Sequence, residues 1–289
     1  MMLHYLAIAL LLAAAPCAAL AEASAVPDES ESLAEAPAVS DETQALAEAP
    51  AVSDEARALV ERIEQIFRGD TARLKAAMTI VRPRWTRTIT FRSWDDRHGD
   101  RAFIRILSPS KDKGTGYLRE GTTFWTYLPR IERTTRIPPS MMLQPWMGSD
   151  FTNDDLVRES SLIDDYTPRD LGTKQLDGVE VRGVELLPHE EAPVVWSRIE
   201  IWVEIESLAP VIEIYYDEPE PGRFEPIREM RFSDVRDVQG RPLPHVWEML
   251  TYDKKDNITR IVIETAEFDE PIEDSVFTLS NLKRAEAVR

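Results

Sequence analysis

"RIEIWVEIES", residues 198–207, sets Ile199, Ile201, Val203 and Ile205 against Glu200, Trp202, Glu204 and Glu206. Side chains two apart project from the same face of an extended chain, so this alternation is that of a β-strand with one apolar face. The same period runs through "WTRTITF" (85–91), with Trp85, Ile89 and Phe91 opposite Thr86, Thr88 and Thr90. It continues in "RAFIRIL" (101–107), "TTFWTYL" (122–128), "APVIEIYYD" (209–217), "PIREMRFSDV" (226–235), "LPHVWEMLTYD" (243–253) and "NITRIVIETAEFD" (257–269). Turn-forming residues separate them, as in "LDG" (176–178) and "KKDN" (254–257).

Consecutive strands with short connections pair antiparallel, and no strand–helix alternation points to a parallel sheet. The expected fold is mainly β (α+β): a large, strongly curved antiparallel sheet with one face to water and one to fill. Two segments are candidates to cover the inner face. One is an N-terminal helix, with Ser53 as cap, Asp54 and Glu55 in the first turn, and Ala56, Leu59, Val60, Ile63, Ile66 and Phe67 as an apolar stripe up to Gly69. The other is the segment around 139–156.

Residues 1–21 read as a secretory signal peptide. An apolar run from Leu6 to Ala15 precedes the small residues of "ALA" (19–21), although His4 stands where Lys or Arg is usual. The run is too short to span a bilayer stably. Export across the inner membrane to the periplasm is the expectation. Cys17 is the single cysteine, and Pro16 before it argues against lipid anchoring there. Residues 22–53 have no aromatic or basic residue, and "LAEAPAVSDE" occurs twice, at 33–42 and at 46–55, its second copy ending two residues past that stretch. This segment is expected to be a flexible acidic tether, and 54–289 the folded domain.

The net charge is −18. That argues against nucleic acid and against general electrostatic docking to anionic lipid. The charge is uneven, because 22–56 hold ten acids and no Lys or Arg.

Motifs for chemistry are sparse. Asp150, Asp154 and Asp155 in "SDFTNDDL" (149–156) lack the spacing of a calcium loop; Asp150 or Thr152 capping a short helix is the plainer reading. His98, His189 and His245 show no metal-ligand spacing, and G-x-S-x-G, P-loop and G-x-G-x-x-G patterns are absent. No metal, no cofactor and no catalytic residue are expected. What remains is apolar content. "PPSMMLQPWMGSDF" (138–151) gathers Met141, Met142, Leu143, Trp146, Met147 and Phe151 around three prolines and a glycine. Flexible Met side chains suit either a core plug or a mobile lid over an apolar cavity.

"LSPSKDKGTGYLREGTTFWTYLP" (107–129), "IPPSMMLQPWMGSDFTNDDL" (137–156), "IEIWVE" (199–204) and "FTLSNL" (277–282) resemble the outer-membrane lipoprotein-sorting protein family, which is similar to the periplasmic lipoprotein carrier LolA. The resemblance spans roughly residues 54–284. It implies a half-open β-barrel of about eleven strands around an apolar cavity, with a helical lid. It also implies a non-catalytic periplasmic carrier, expected as a monomer. The carrier would take lipid or lipoprotein acyl chains towards the outer membrane, from an inner-membrane RND-type exporter to an outer-membrane acceptor. The alternative is a lipid- or peptide-sensing module working with such an exporter.

Strand parity nominates the cavity lining: Trp85, Ile89, Phe91, Ile104, Ile106, Trp125, Tyr127, Ile199, Ile201, Val203, Ile212, Ile214, Met230 and Phe232. The lid candidates are Met141, Met142, Trp146, Met147 and Phe151.

Overall fold

Among the described residues, thirteen antiparallel strands form one sheet. A computed structural model describes residues 54–157, 162–190, 192, 194–254 and 256–284. The signal-peptide and tether segments, and the expected cap Ser53, lie outside them.

The strands are β1 (Thr71–Arg82), β2 (Trp85–Asp96), β3 (Arg101–Ser108), β4 (Gly116–Glu120), β5 (Thr123–Leu128), β6 (Arg133–Arg136), β7 (Tyr166–Leu176), β8 (Val179–Pro188), β9 (Arg198–Glu204), β10 (Pro210–Glu220), β11 (Arg223–Val238), β12 (Arg241–Thr251) and β13 (Ile258–Phe268). Their order in space is β6-β5-β4-β3-β2-β1-β13-β12-β11-β10-β9-β8-β7. The chain thus walks outward from β1 to one edge, crosses over through residues 137–165, and walks back inward from the other edge until β13 pairs with β1. Only that crossover departs from nearest-neighbour pairing, as expected where turns are short. The β7–β8 turn shows the local cause: Asp177 and Gly178 take φ of 51° and 87°, the two left-handed positions of a tight hairpin.

The count of about eleven strands is corrected to thirteen. Apolar alternation is silent where a strand has little to bury. The edge strand β6 is "RTTR", with no apolar residue, and β7 carries most of its exposed residues in its polar second half, "GTKQ" (172–175). A short polar edge strand is also what keeps a sheet edge from recruiting another chain.

The cover is less helical than expected. α1 (Asp54–Phe67) buries Ala56, Leu59, Val60, Ile63 and Ile66, as the stripe predicts. It packs with Val184, Leu186, Ile199, Ile201 and Val203 on the β7–β9 side of the inner face. Burial of each such aliphatic stabilises the pair by about 2 kcal/mol. Over the β1–β5 side the cover is a strap, residues 137–157, built from two single 3-10 turns and α2 (Asn153–Val157). Three prolines and a glycine within 138–148 deny it a longer helix. A further short helix, α3 (Leu162–Asp165), touches α1 before β7 begins.

The outer face is also covered in part. Residues 272–282, ending in α4 (Leu279–Leu282), lay Val276, Phe277 and Leu282 over Trp94, Phe103 and Leu118. Elsewhere Trp202 packs with Val181 and Ile212. A Cβ on Gly183 would stand 2.5 Å from the Trp202 ring. Gly183→Ala is therefore expected to destabilise by about 2 kcal/mol, read as a lower urea midpoint. An unchanged midpoint would show that the ring can move aside.

Candidate functional site: a strapped inner face

The strap leaves β6 with the Ile137 amide bonded to the Phe124 carbonyl at 2.8 Å. It then folds on itself. Pro145 and Thr152 form an antiparallel bridge, and the Trp146 amide donates to the Phe151 carbonyl at 2.7 Å. The Ser149 hydroxyl donates to the Trp146 carbonyl at 2.7 Å. This tight loop drives Trp146 and Phe151 into the inner face. Trp146 is 2% exposed, edge-on to Phe91 (centroids 5.8 Å) and Tyr117 (5.7 Å).

Two carboxylates pin the loop. Asp150 receives both Arg82 Nη atoms, at 3.0 and 3.1 Å, and the Thr259 hydroxyl at 2.6 Å. The Arg82 guanidinium also donates to the Gly148 carbonyl at 2.9 Å. Asp155 receives both Nη atoms of Arg228, at 2.9 and 2.6 Å. Bidentate pairs of this kind fix geometry as well as charge. Asp155 also accepts from the Thr152 amide at 2.7 Å while its own amide donates to the Thr152 hydroxyl at 3.2 Å. That reciprocal capping box starts α2, with Thr152 as the cap. Burial raises the Asp155 carboxyl, but the Arg228 bonds and charge and the Thr152 bonds outweigh it, and the group lies below its ordinary range.

Arg228 is 5% exposed and lies against both rings of the Trp196–Tyr215 pair, 4.5 and 4.7 Å from their centroids. The neighbouring Tyr215 hydroxyl donates to Glu213 at 2.6 Å. Burial pushes the Glu213 carboxyl up, with Tyr215 and Arg228 opposing. Among the described residues no group of three or more His, Cys, Asp or Glu is arranged to hold a metal ion. His98 reaches Asp70 at the surface, and His245 bonds its own strand through the Leu243 carbonyl.

Beside the strap lies an apolar cavity of about 300 Å³, walled by Ala76, Phe91, Phe151, Met230, Trp247 and Ile261. It shares Leu74, Ser93, Ile104, Asp155 and Leu156 with a second space of about 250 Å³ that opens beside Arg68, Asp95 and Arg119. The first volume is at the low end for ligand pockets.

Of the nominated residues, Ile89, Phe91, Ile104, Ile106, Met230, Phe232, Trp146 and Phe151 meet in one inner-face cluster, with Met147 packed against it. Ile199, Ile201 and Val203 share that face but lie beneath α1. Five placements are corrected. Trp85 heads β2 and is 47% exposed, because the β1–β2 hairpin projects beyond its neighbours. Trp125 and Tyr127 stand on the outer face, drawn there by Val276, Phe277 and Leu282. Ile212 and Ile214 also face outward with Trp202, leaving Glu213 and Tyr215 inside. Choosing the apolar parity fails wherever both faces are packed. Met141 is exposed and Met142 half-buried, and their carbonyls bind Asn153 and Asp154.

Residues missed altogether include Ala76, Met78, Tyr117, Phe124, Met249 and Ile261 of the inner cluster, and the anchors Arg82 and Arg228. An Arg at an inward position of an apolar strand, as in "REMRF" (228–232), was the available signal for the second anchor.

An open antiparallel sheet of this topology is the LolA-like fold, and three solved structures share it. A DUF1329 family protein from Desulfovibrio piger is 23% identical, with TM-score 0.69 over 79% of this chain and 98% of that one. An outer membrane lipoprotein-sorting protein domain from Vibrio parahaemolyticus is 20% identical, with TM-score 0.65 over 79% and 100%. A LolA superfamily protein from Nitrosomonas europaea is 17% identical, with TM-score 0.64 over 78% and 98%. Residues 98–284 match a family model described as an uncharacterized protein, and the chain belongs to that family. No curated protein matches it.

Proposed function

We propose that this protein is an exported, non-catalytic carrier that holds a lipid acyl chain against the inner face of its sheet. The reading makes the sheet a half-open barrel and the strap its lid. The observation that carries it is the apolar cavity beside a strap whose Trp146 and Phe151 fill the same face. The strap then acts as an internal substitute for cargo: when it lifts, an acyl chain replaces Trp146, Met147 and Phe151. Each methylene buried is worth about 0.8 kcal/mol, so one chain supplies on the order of 10 kcal/mol before ordering costs. Release requires a partner, or re-closure of the strap on the emptied face. An inner-membrane exporter as donor and an outer-membrane acceptor complete the proposal.

The test is titration with a fluorescent fatty acid. Phe91, 7% exposed and facing Trp146, is replaced by Glu. A charge on the cavity wall should abolish binding, whereas Ile131→Glu, on a 61% exposed residue, should leave it unchanged. Circular dichroism establishes that both variants fold. Wild-type affinity in a folded Phe91→Glu protein would remove the cavity from the account.

A further inference from the structure

Charge is segregated along this chain. Against a total of −18, residues 71–149 hold fifteen Lys and Arg and six Asp and Glu. In an antiparallel walk every second turn falls at the same end of the sheet, so the β1–β2, β3–β4 and β5–β6 turns form one lip. That lip exposes Arg84, Lys111, Lys113, Arg130 and Arg133. Its acids are few and mostly engaged: Asp112 is bound to Arg87 and Asp150 to Arg82, leaving Glu132. At the same end of the other half, Glu218 and Glu220 close β10, while the β12–β13 sequence sets Asp253 and Asp256 against Lys254 and Lys255.

The basic lip also carries exposed apolar side chains at its tips. Trp85 is 47% exposed, Leu128 41% and Ile131 61%. Ile131 sits in the 3-10 turn Pro129–Ile131, between Arg130 and Arg133. A purely acidic partner would account for the cations alone. Large apolar residues standing among cations match a surface with anionic headgroups above an apolar interior, and Trp favours that boundary.

We propose that this lip is a docking surface for anionic lipid bilayers. The cations meet headgroup phosphates, and Trp85, Leu128 and Ile131 enter the acyl boundary. The chain-wide acidity does not oppose this contact, because charges beyond about a Debye length are screened at physiological salt. The inference is independent of what the cavity holds.

The test is sedimentation of the protein, purified from an exporting host, with vesicles of phosphatidylethanolamine and phosphatidylglycerol, and with vesicles of phosphatidylcholine alone. Binding is expected to the anionic vesicles and not to the neutral ones, and to weaken with added salt. The triple variant Arg84→Ser, Arg130→Ser, Arg133→Ser should bind about 100-fold more weakly. Ile131→Ser should weaken binding in a way that salt does not change. These residues are exposed, so the variants fold, and an unchanged thermal midpoint checks it. The Phe91→Glu protein should dock like wild type, which separates failure of docking from failure of the cavity. Equal binding to both vesicle types, undiminished binding by the triple variant, or no binding would overturn the proposal. Absence of vesicle binding together with capture of a synthetic peptide of residues 22–53 would also overturn it, and would assign the lip to the chain's own acidic segment.

Discussion

Asp155→Ala is expected to lower the unfolding free energy by about 3 kcal/mol and to free the strap. The substitution leaves the Arg228 guanidinium without its carboxylate partner, against the Trp196 and Tyr215 rings. Removing one partner of a buried pair costs 3–5 kcal/mol in general. The lower end applies because the Asp155 side chain keeps 20% of its exposure. The Thr152 capping bonds are lost as well, so α2 loses its start. Two measurements check this: the urea midpoint, and hydrogen exchange across residues 146–156. Asp155→Asn, which keeps the shape without the charge, should fall between wild type and Ala. Wild-type exchange in both variants would mean that Trp146 and Phe151 hold the strap without the latch.

The same carboxylate gives the strap a pH dependence of definite sign. Asp155 titrates below its ordinary range in the folded protein. A depressed carboxyl contributes stability above its unfolded pKa and loses it as pH falls through the folded value. Protection across 146–156, corrected for the intrinsic pH dependence of amide exchange, should therefore be high at neutral pH and fall below the usual carboxylate range, and Asp155→Ala should flatten that dependence.

Trp146→Ala should move two properties in opposite directions. Trp146 is 2% exposed and meets Phe91 and Tyr117 edge-on. Truncating a buried aromatic costs about 3–5 kcal/mol, because the surroundings close the void only in part. If the side chain stands in for cargo, the vacated volume joins the cavity of about 300 Å³ beside it. Fatty-acid affinity should then rise while stability falls. A fall in both would make Trp146 part of the floor that cargo needs.

The fold class was legible because buried strands announce themselves. Ile199, Ile201 and Val203 alternate with polar or outward residues, and the helix stripe of α1 buries the residues that its spacing named. The edges were not legible: "RTTR" has no apolar signal, since an edge strand with solvent on its flank needs none. Inner-face membership followed from alternation in β2, β3 and β11 but not in β5 or β10. There the outer face is packed too, and the apolar parity of "VIEIYY" (211–216) points away from the cavity. The strap's apolar residues were readable from composition. Its anchors were not, because Arg82 and Arg228 meet Asp150 and Asp155 only across 68 and 73 residues of chain.

The most direct measurement of the central claim is native mass spectrometry of the protein, exported to the periplasm and purified without detergent. The account predicts a stoichiometric acyl lipid on the wild type, absent from Phe91→Glu and retained by Ile131→Glu. A wild-type protein that arrives empty, and takes up no lipid from added membranes even as Asp155→Ala, would contradict it: the inner face would then be filled for good by its own strap.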